Sequence, residues 1–241
     1  MRECRIPEEA ALTAMAEIKV MSSAAIKPAY LELVPAFERA SGHRVTTLWI
    51  PGVDLLKRVK EGETSDLVIM QLKDIEALIA AGRIAAGSRV DLATSGVGVA
   101  VRAGAPRPDI SSADALKRAL LAAKAVSFST GPSGVYILEL FDRLGIAAEI
   151  KAKSRQIKGE PSGAAVARGE AEIAFQQVSE LLPVPGIDFI GPLPAEIQCI
   201  TTFCAGMQKT AREPAAAREW LNFIKSPAAV SAIRKSGMEP A

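Results

Sequence analysis

Three short stretches set small and polar residues where an apolar β-branched run gives way to an amphipathic helix pattern: "MSSAAIKP" from Met21, "IPGVD" from Ile50 and "FSTGPSGVY" from Phe128. A helix beginning at such a place has unpaired amides and about half a unit of positive charge, so it suits a small anion. In an open α/β sheet, ligands gather beyond the carboxyl ends of strands, and all three junctions satisfy that rule. "STGPSG" lacks the Gly-Lys-Ser/Thr ending of a phosphate loop and does not match GxGxxG, so a nucleotide is not its natural occupant. It presents the Ser129 hydroxyl and, at the helix start, the amides of Ser133 and Gly134, with Tyr136 opening the helix that aims them.

A second polar group, Gln176, Gln177 and Ser179, follows the apolar run "AEIAF". Their amide and hydroxyl groups both donate and accept hydrogen bonds, as a polar ligand would require. Gln71 and Tyr136 are expected nearby. Among cations in loops or extended runs, Lys27, Lys73, Arg102, Arg155 and Lys158 could balance carboxylates, with Lys27 foremost because it adjoins the first junction. The residues supply no obvious general base. His43 follows a helix-ending glycine and is expected at the surface, and Glu160, Glu180, Tyr136 and Asp54 are only loosely placed.

With 29 Lys+Arg against 27 Asp+Glu, the net charge of +2 offers no field for a phosphate backbone, and 5% aromatic residues would furnish few stacking platforms. Nucleic acid is not the expected partner. Three cysteines (Cys4, Cys199, Cys204) and one histidine fit neither a disulfide framework nor a zinc site, and the cysteines are expected as buried thiols. No metal or cofactor is expected. No stretch approaches the ~20 apolar residues of a membrane span. The opening "MRECRIPEEAALTAMAEIKV" lacks an export-signal core, which implies a cytoplasmic chain as written and a periplasmic one if the N-terminus is incomplete.

The elements that position these groups follow a βα rhythm: short apolar runs, turn clusters, then helix-length amphipathic segments, as expected of a mainly parallel sheet. Two long extended runs, 95–106 and 196–207, flank the central block. The class is α/β, with two doubly wound lobes joined by a two-strand hinge. Residues 1–100 with 201–241 form the first lobe, and 101–200 the second.

From Glu17 to Gly237 the chain resembles the type II periplasmic binding proteins, specifically the molybdate/tungstate-binding-protein-like components of ATP-driven importers. The likeness is carried by "VMSSAAI", "LLKRVKEGETSDLVI" and, most specifically, "GPSGVYILELFDRLG". It implies a site between the lobes, with Ser22, Ser23 and Ala25 in the first loop and Gly52 and Val53 in the second. Ser133 then supplies an amide, Pro161 and Ser162 begin a further loop, and Gln176 stands where the family usually has a tyrosine. Ala25 where a ligand serine is expected, "PGVD" in the second loop and the glutamine pair all remove hydroxyls, which points to an organic carboxylate.

The resemblance implies a monomeric binder that closes on a small anion, for uptake through an ABC permease or for sensing. It also admits an enzyme, because a few proteins resembling this group are isomerases of unsaturated tricarboxylates such as aconitate.

Overall fold

Each turn cluster in the sequence ends one element and begins the next in the computed structural model, which describes residues 15–241. The stretch read for an export signal lies, but for its last residues, outside the described residues, as does Cys4. The first third of the chain comprises β1 (Glu17–Ser22), a 3-10 turn (Ala24–Ile26), α1 (Lys27–Ser41), β2 (Arg44–Trp49), α2 (Gly52–Lys60), β3 (Leu67–Gln71) and α3 (Leu72–Ala80). A long strand β4 (Val90–Arg102) leads to α4 (Ala113–Ala122), β5 (Val126–Ser129), α5 (Pro132–Arg143), α6 (Ala147–Lys151), β6 (Ser154–Ile157), α7 (Ser162–Ala167), β7 (Ile173–Gln177) and α8 (Val178–Leu181). The chain closes with β8 (Ile187–Pro192), β9 (Ile200–Met207), α9 (Pro214–Ile224), α10 (Pro227–Lys235) and the two-residue β10 (Glu239–Pro240).

Local chemistry accounts for the boundaries. Gly42 (φ +75°) and Gly82 (φ +68°) take the left-handed conformation just beyond α1 and α3, as expected of helix-ending glycines. Ser112 caps α4 by accepting from the Ala115 amide at 3.1 Å. Two pieces escape the sequence pattern: α8 is a single turn, and β10 exists only because it lies antiparallel to β4.

The sheet is mixed rather than mainly parallel. Parallel triplets β2-β1-β3 and β6-β5-β7 make up its two ends, and antiparallel β9 and β4 lie between them. Strands that carry the chain between two lobes must run both ways, so these two could not join either parallel set. Residues Val90 to Gly96 of β4 pair with β9, whereas Val97 to Arg102 pair with β7 and β8. The crossing therefore falls between Gly96 and Val97. The expected extended runs are trimmed: β4 ends at Arg102 before a turn through Gly104 (φ +74°), and a 3-10 turn at Ala195–Ile197 precedes β9.

Apolar side chains gather on each side of that crossing. One core draws Tyr30, Phe37 and Trp220 together, with ring centroids 5.1 Å (Tyr30–Trp220) and 4.9 Å (Phe37–Trp220) apart. The other stacks Phe128, Phe141 and Phe175 edge to face at 6.0 and 6.4 Å. The first core comes from both ends of the described chain and the second from its middle.

Gly134 is required where α5 sits on the end of β5, because a Cβ there would overlap the Ser129 carbonyl oxygen. Gly134→Ala must push helix and strand apart, so we expect a loss of about 2 kcal/mol or more, read as a lowered midpoint in urea unfolding.

Candidate functional site

Six strand ends face one another across the cleft. β1, β2 and β3 contribute from one lobe and β5, β6 and β7 from the other, and each leads within a few residues into a helix or 3-10 turn. They enclose a cavity of about 470 Å³, in the size range of organic-ligand sites. The first lobe lines it with Ser23, Ala25, Lys27, Trp49, Gly52, Gln71, Asp74 and Phe203. The second contributes Ser129, Gly131, Pro161, Gln176, Ser179 and Glu180. Leu31, Ile50, Met70 and Pro183 add to a largely apolar wall.

Two hydroxyls in this wall are buried without any hydrogen-bond partner among the described residues: Ser23 Oγ from the first lobe and Ser179 Oγ from the second. Buried polar atoms are nearly always paired, so an unpaired one in a residue that lines a cavity marks a place where a ligand's polar atom fits. The amides at the starts of α1, α2, α3 and α5 add partial positive charge, since none is capped by the side chain before it.

The charged groups divide sharply. Lys27 holds its ammonium 5.4 Å from the centroid of the Trp49 ring and has no carboxylate partner among the described residues. Glu160 is engaged by Arg168 through two hydrogen bonds at 2.7 and 2.9 Å, and Asp74 accepts from the Gln71 amide at 2.9 Å. Lys158 reaches across the mouth to Asp54 at 3.2 Å. Glu180 has no cationic partner among the described residues. Burial raises its pKa to about 7 against a weaker opposing hydrogen bond from Gln176.

Of the residues expected at a site, Ser23, Ala25, Lys27, Gly52, Gln71, Ser129, Pro161 and Gln176 line the cavity. Seven others do not. Gln177 lies on the opposite face of β7 from Gln176, because adjacent strand residues point apart, and its amide meets Thr201 Oγ1 at 3.0 Å. Ser22 turns its hydroxyl back to the Ser23 carbonyl at 3.0 Å, and Val53 points outward, 62% exposed. The Ser133 hydroxyl is buried against Ser129 Oγ at 3.2 Å, and Gly134 serves the close approach described above. Tyr136 is one turn along α5 from the cavity, donating to the Ile197 carbonyl at 2.6 Å.

Ser162, also behind the wall, donates its amide to Gln176 Oε1 at 2.6 Å, and its hydroxyl lies 2.9 Å from both that oxygen and the Phe175 carbonyl, either of which can accept its proton. These bonds hold the carbonyl end of Gln176 and so fix its side chain. Lys73, Arg102 and Arg155 stand outside the cavity. His43 is buried rather than at the surface, accepting from the Ala16 amide at 3.2 Å and lying 3.3 Å from Glu219. Cys204 is buried with its thiol pKa pushed up to about 12 by desolvation and by Asp91, and Cys199 is half-buried. Among the described residues no three His, Cys, Asp or Glu side chains converge as a metal would require, and no helix is long and apolar enough to cross a membrane.

The Glu180 carboxyl gives a pH signature. Its folded pKa is raised, so the native state holds a proton that the unfolded chain releases, and stability falls as pH climbs from about 4.5 through about 7. Glu180→Gln should melt with the unaltered protein at pH 4.5 and above it at pH 8, as followed by thermal unfolding at both values.

Known proteins agree with this architecture. Residues 18–239 match the family model described as bacterial extracellular solute-binding protein. An aconitate isomerase from Pseudomonas sp is 40% identical over 229 residues, covering 92% of this chain and 87% of that one. The periplasmic molybdate-binding protein of Azotobacter vinelandii superposes with a TM-score of 0.78 at 19% identity, over 92% of this chain and 98% of that one. The sulfate-binding protein SubI from Mycobacterium tuberculosis does so at 0.77 and 18%, over 94% and 87%. At such identities the two structures speak for the fold, which is that of the type II periplasmic binding proteins. By the match along nearly its whole length, the chain belongs to the bacterial extracellular solute-binding protein family.

Proposed function

We propose that this protein binds a small organic carboxylate between its lobes and closes on it, for delivery to a membrane permease or for sensing. The observation that carries the reading is the pair of buried, unpaired hydroxyls, Ser23 and Ser179, set on opposite lobes of one cavity. An acid with carboxylates at both ends could satisfy both at once. The 470 Å³ volume and the apolar wall favour a carbon skeleton over a tetrahedral oxyanion, which would fill only a small part of that space. Lys27 and the helix-start amides supply positive potential suited to carboxylates.

A second reading has its own support. The relative named aconitate isomerase is similar over nearly the whole chain, and Glu180 is a carboxyl in the cavity with no cation to hold it ionised. The same site would then rearrange an unsaturated tricarboxylate before releasing it.

Thermal-shift titration with citrate, cis- and trans-aconitate, sulfate, molybdate and tungstate tests the binding. At a hundredfold excess over Kd a ligand contributes ~2.7 kcal/mol, or roughly 5–10 °C for a chain of this size. We expect tricarboxylates to produce that shift and oxyanions to leave the melting temperature in place. Ser179→Ala should weaken the response about tenfold in ligand concentration without lowering the melting point of the free protein. A response to oxyanions alone, or a Ser179→Ala protein that binds as before, would refute the assignment. Following trans-aconitate absorbance in the presence of the protein decides between binding and turnover.

A further inference from the structure

The single-turn helix α8 is held by both lobes. It leaves β7 at the cavity, packs against β4 and meets the Ala24–Ile26 turn of the first lobe. Behind it, Gly237 of the first lobe sits so close that an added Cβ would come within 2.7 Å of both Val178 Cγ1 and Leu182 Cδ1. Glu180 therefore rides on an element whose position is fixed from two sides.

Its surroundings are equally specific. The other two carboxylates of the cavity are engaged, Glu160 by Arg168 and Asp74 by Gln71. Lys27 is drawn to the Trp49 ring and Lys158 to Asp54. Neither β7 nor the Ala24–Ile26 turn packed on α8 carries a charge, and the charged residues of β4, Asp91 and Arg102, lie near its two ends. Gln176, itself fixed by Ser162, is the polar neighbour that opposes the effect of burial on the Glu180 carboxyl. A carboxyl so placed is free to take and return a proton.

We propose that Glu180 is the catalytic residue that moves the proton in an allylic isomerisation of a propene tricarboxylate, an assignment that rests on the isomerase reading above. Its carboxylate removes a proton from the methylene carbon. The electron pair of that C–H bond becomes part of an allylic anion delocalised into the attached carboxylate groups. Glu180 then returns the proton to the carbon at the other end of the three-carbon unit, and the double bond settles in the shifted position. One C–H bond breaks and one forms, with no change of oxidation state and no co-reactant. Ser23, Ser179 and Lys27 hold the substrate carboxylates during the transfer. An ordinary carboxylate is a weak base for such a carbon, and a carboxyl poised near neutrality can serve in both directions.

The test compares the unaltered protein, Glu180→Gln and Glu180→Asp in three measurements: trans-aconitate turnover, deuterium uptake into aconitate from D2O by NMR, and the melting shift produced by trans-aconitate. We expect Glu180→Gln to lose turnover and deuterium uptake by about a hundredfold or more while keeping its melting shift. Glu180→Asp should retain measurable turnover. For the unaltered protein, kcat/KM should rise with pH through about 7, the limb on which the carboxyl ionises.

Turnover by Glu180→Gln within about threefold of the unaltered protein would overturn the role and leave the isomerase reading standing. Loss of the melting shift along with turnover would make Glu180 a binding group and equally overturn it. An unaltered protein that binds trans-aconitate yet neither converts it nor exchanges deuterium would remove the isomerase reading and this role together, leaving carboxylate binding intact.

Discussion

The molecule depends on one act of backbone pairing. β4 gives its first half to β9 and its second half to β7 and β8, so a single strand belongs to both lobes. Gln198 braces the crossing: its carbonyl oxygen accepts from the Val97 and Cys199 amides, both at 2.8 Å, and its NH2 donates to the Val97 carbonyl at 3.0 Å. Gly96 beside it lets that glutamine lie close, since an added Cβ would meet its side-chain amide at 3.1 Å and oblige it to shift by a few tenths of an ångström. The rest follows from this seam. Because antiparallel strands join the two parallel triplets, the carboxyl ends of both triplets are turned toward one cleft, and the helix starts that follow them converge there.

Much of this arrangement was legible in the sequence because it is written in short-range signals. Turn clusters after apolar runs located the junctions, and left-handed glycines such as Gly42 and Gly82 marked helix ends. The two long extended runs announced the crossing. What escaped was the direction in which individual side chains point. Strand alternation alone could have separated Gln176 from Gln177, whereas Tyr136 faces away because α5 begins at Pro132 and carries it a full turn beyond the cavity. The buried setting of His43 depends on Glu219, far along the chain, and no local pattern contains it. Glu180 was named only loosely because a four-residue helix is too short for periodicity to show which face it presents.

The electrostatic character of the cleft also comes from long-range contacts. On composition alone Glu160 and Glu180 are equivalent acids twenty residues apart. Arg168 lowers the pKa of the first, chiefly through their hydrogen bonds. Desolvation does the opposite to the second. Two identical side chains lining one cavity thus acquire different proton affinities from what surrounds them, the pattern by which proteins assign acid and base roles.

The ion pair between Lys158 and Asp54 spans the mouth of the cleft, with its side chains 66% and 40% exposed. Its attraction is therefore screened by dissolved salt over a Debye length of about 8 Å at physiological ionic strength. A pair so exposed contributes little to holding the fold together. It joins α2 of the first lobe to the loop after β6 of the second, so what dissolved salt weakens here is a bond from lobe to lobe rather than one within either core.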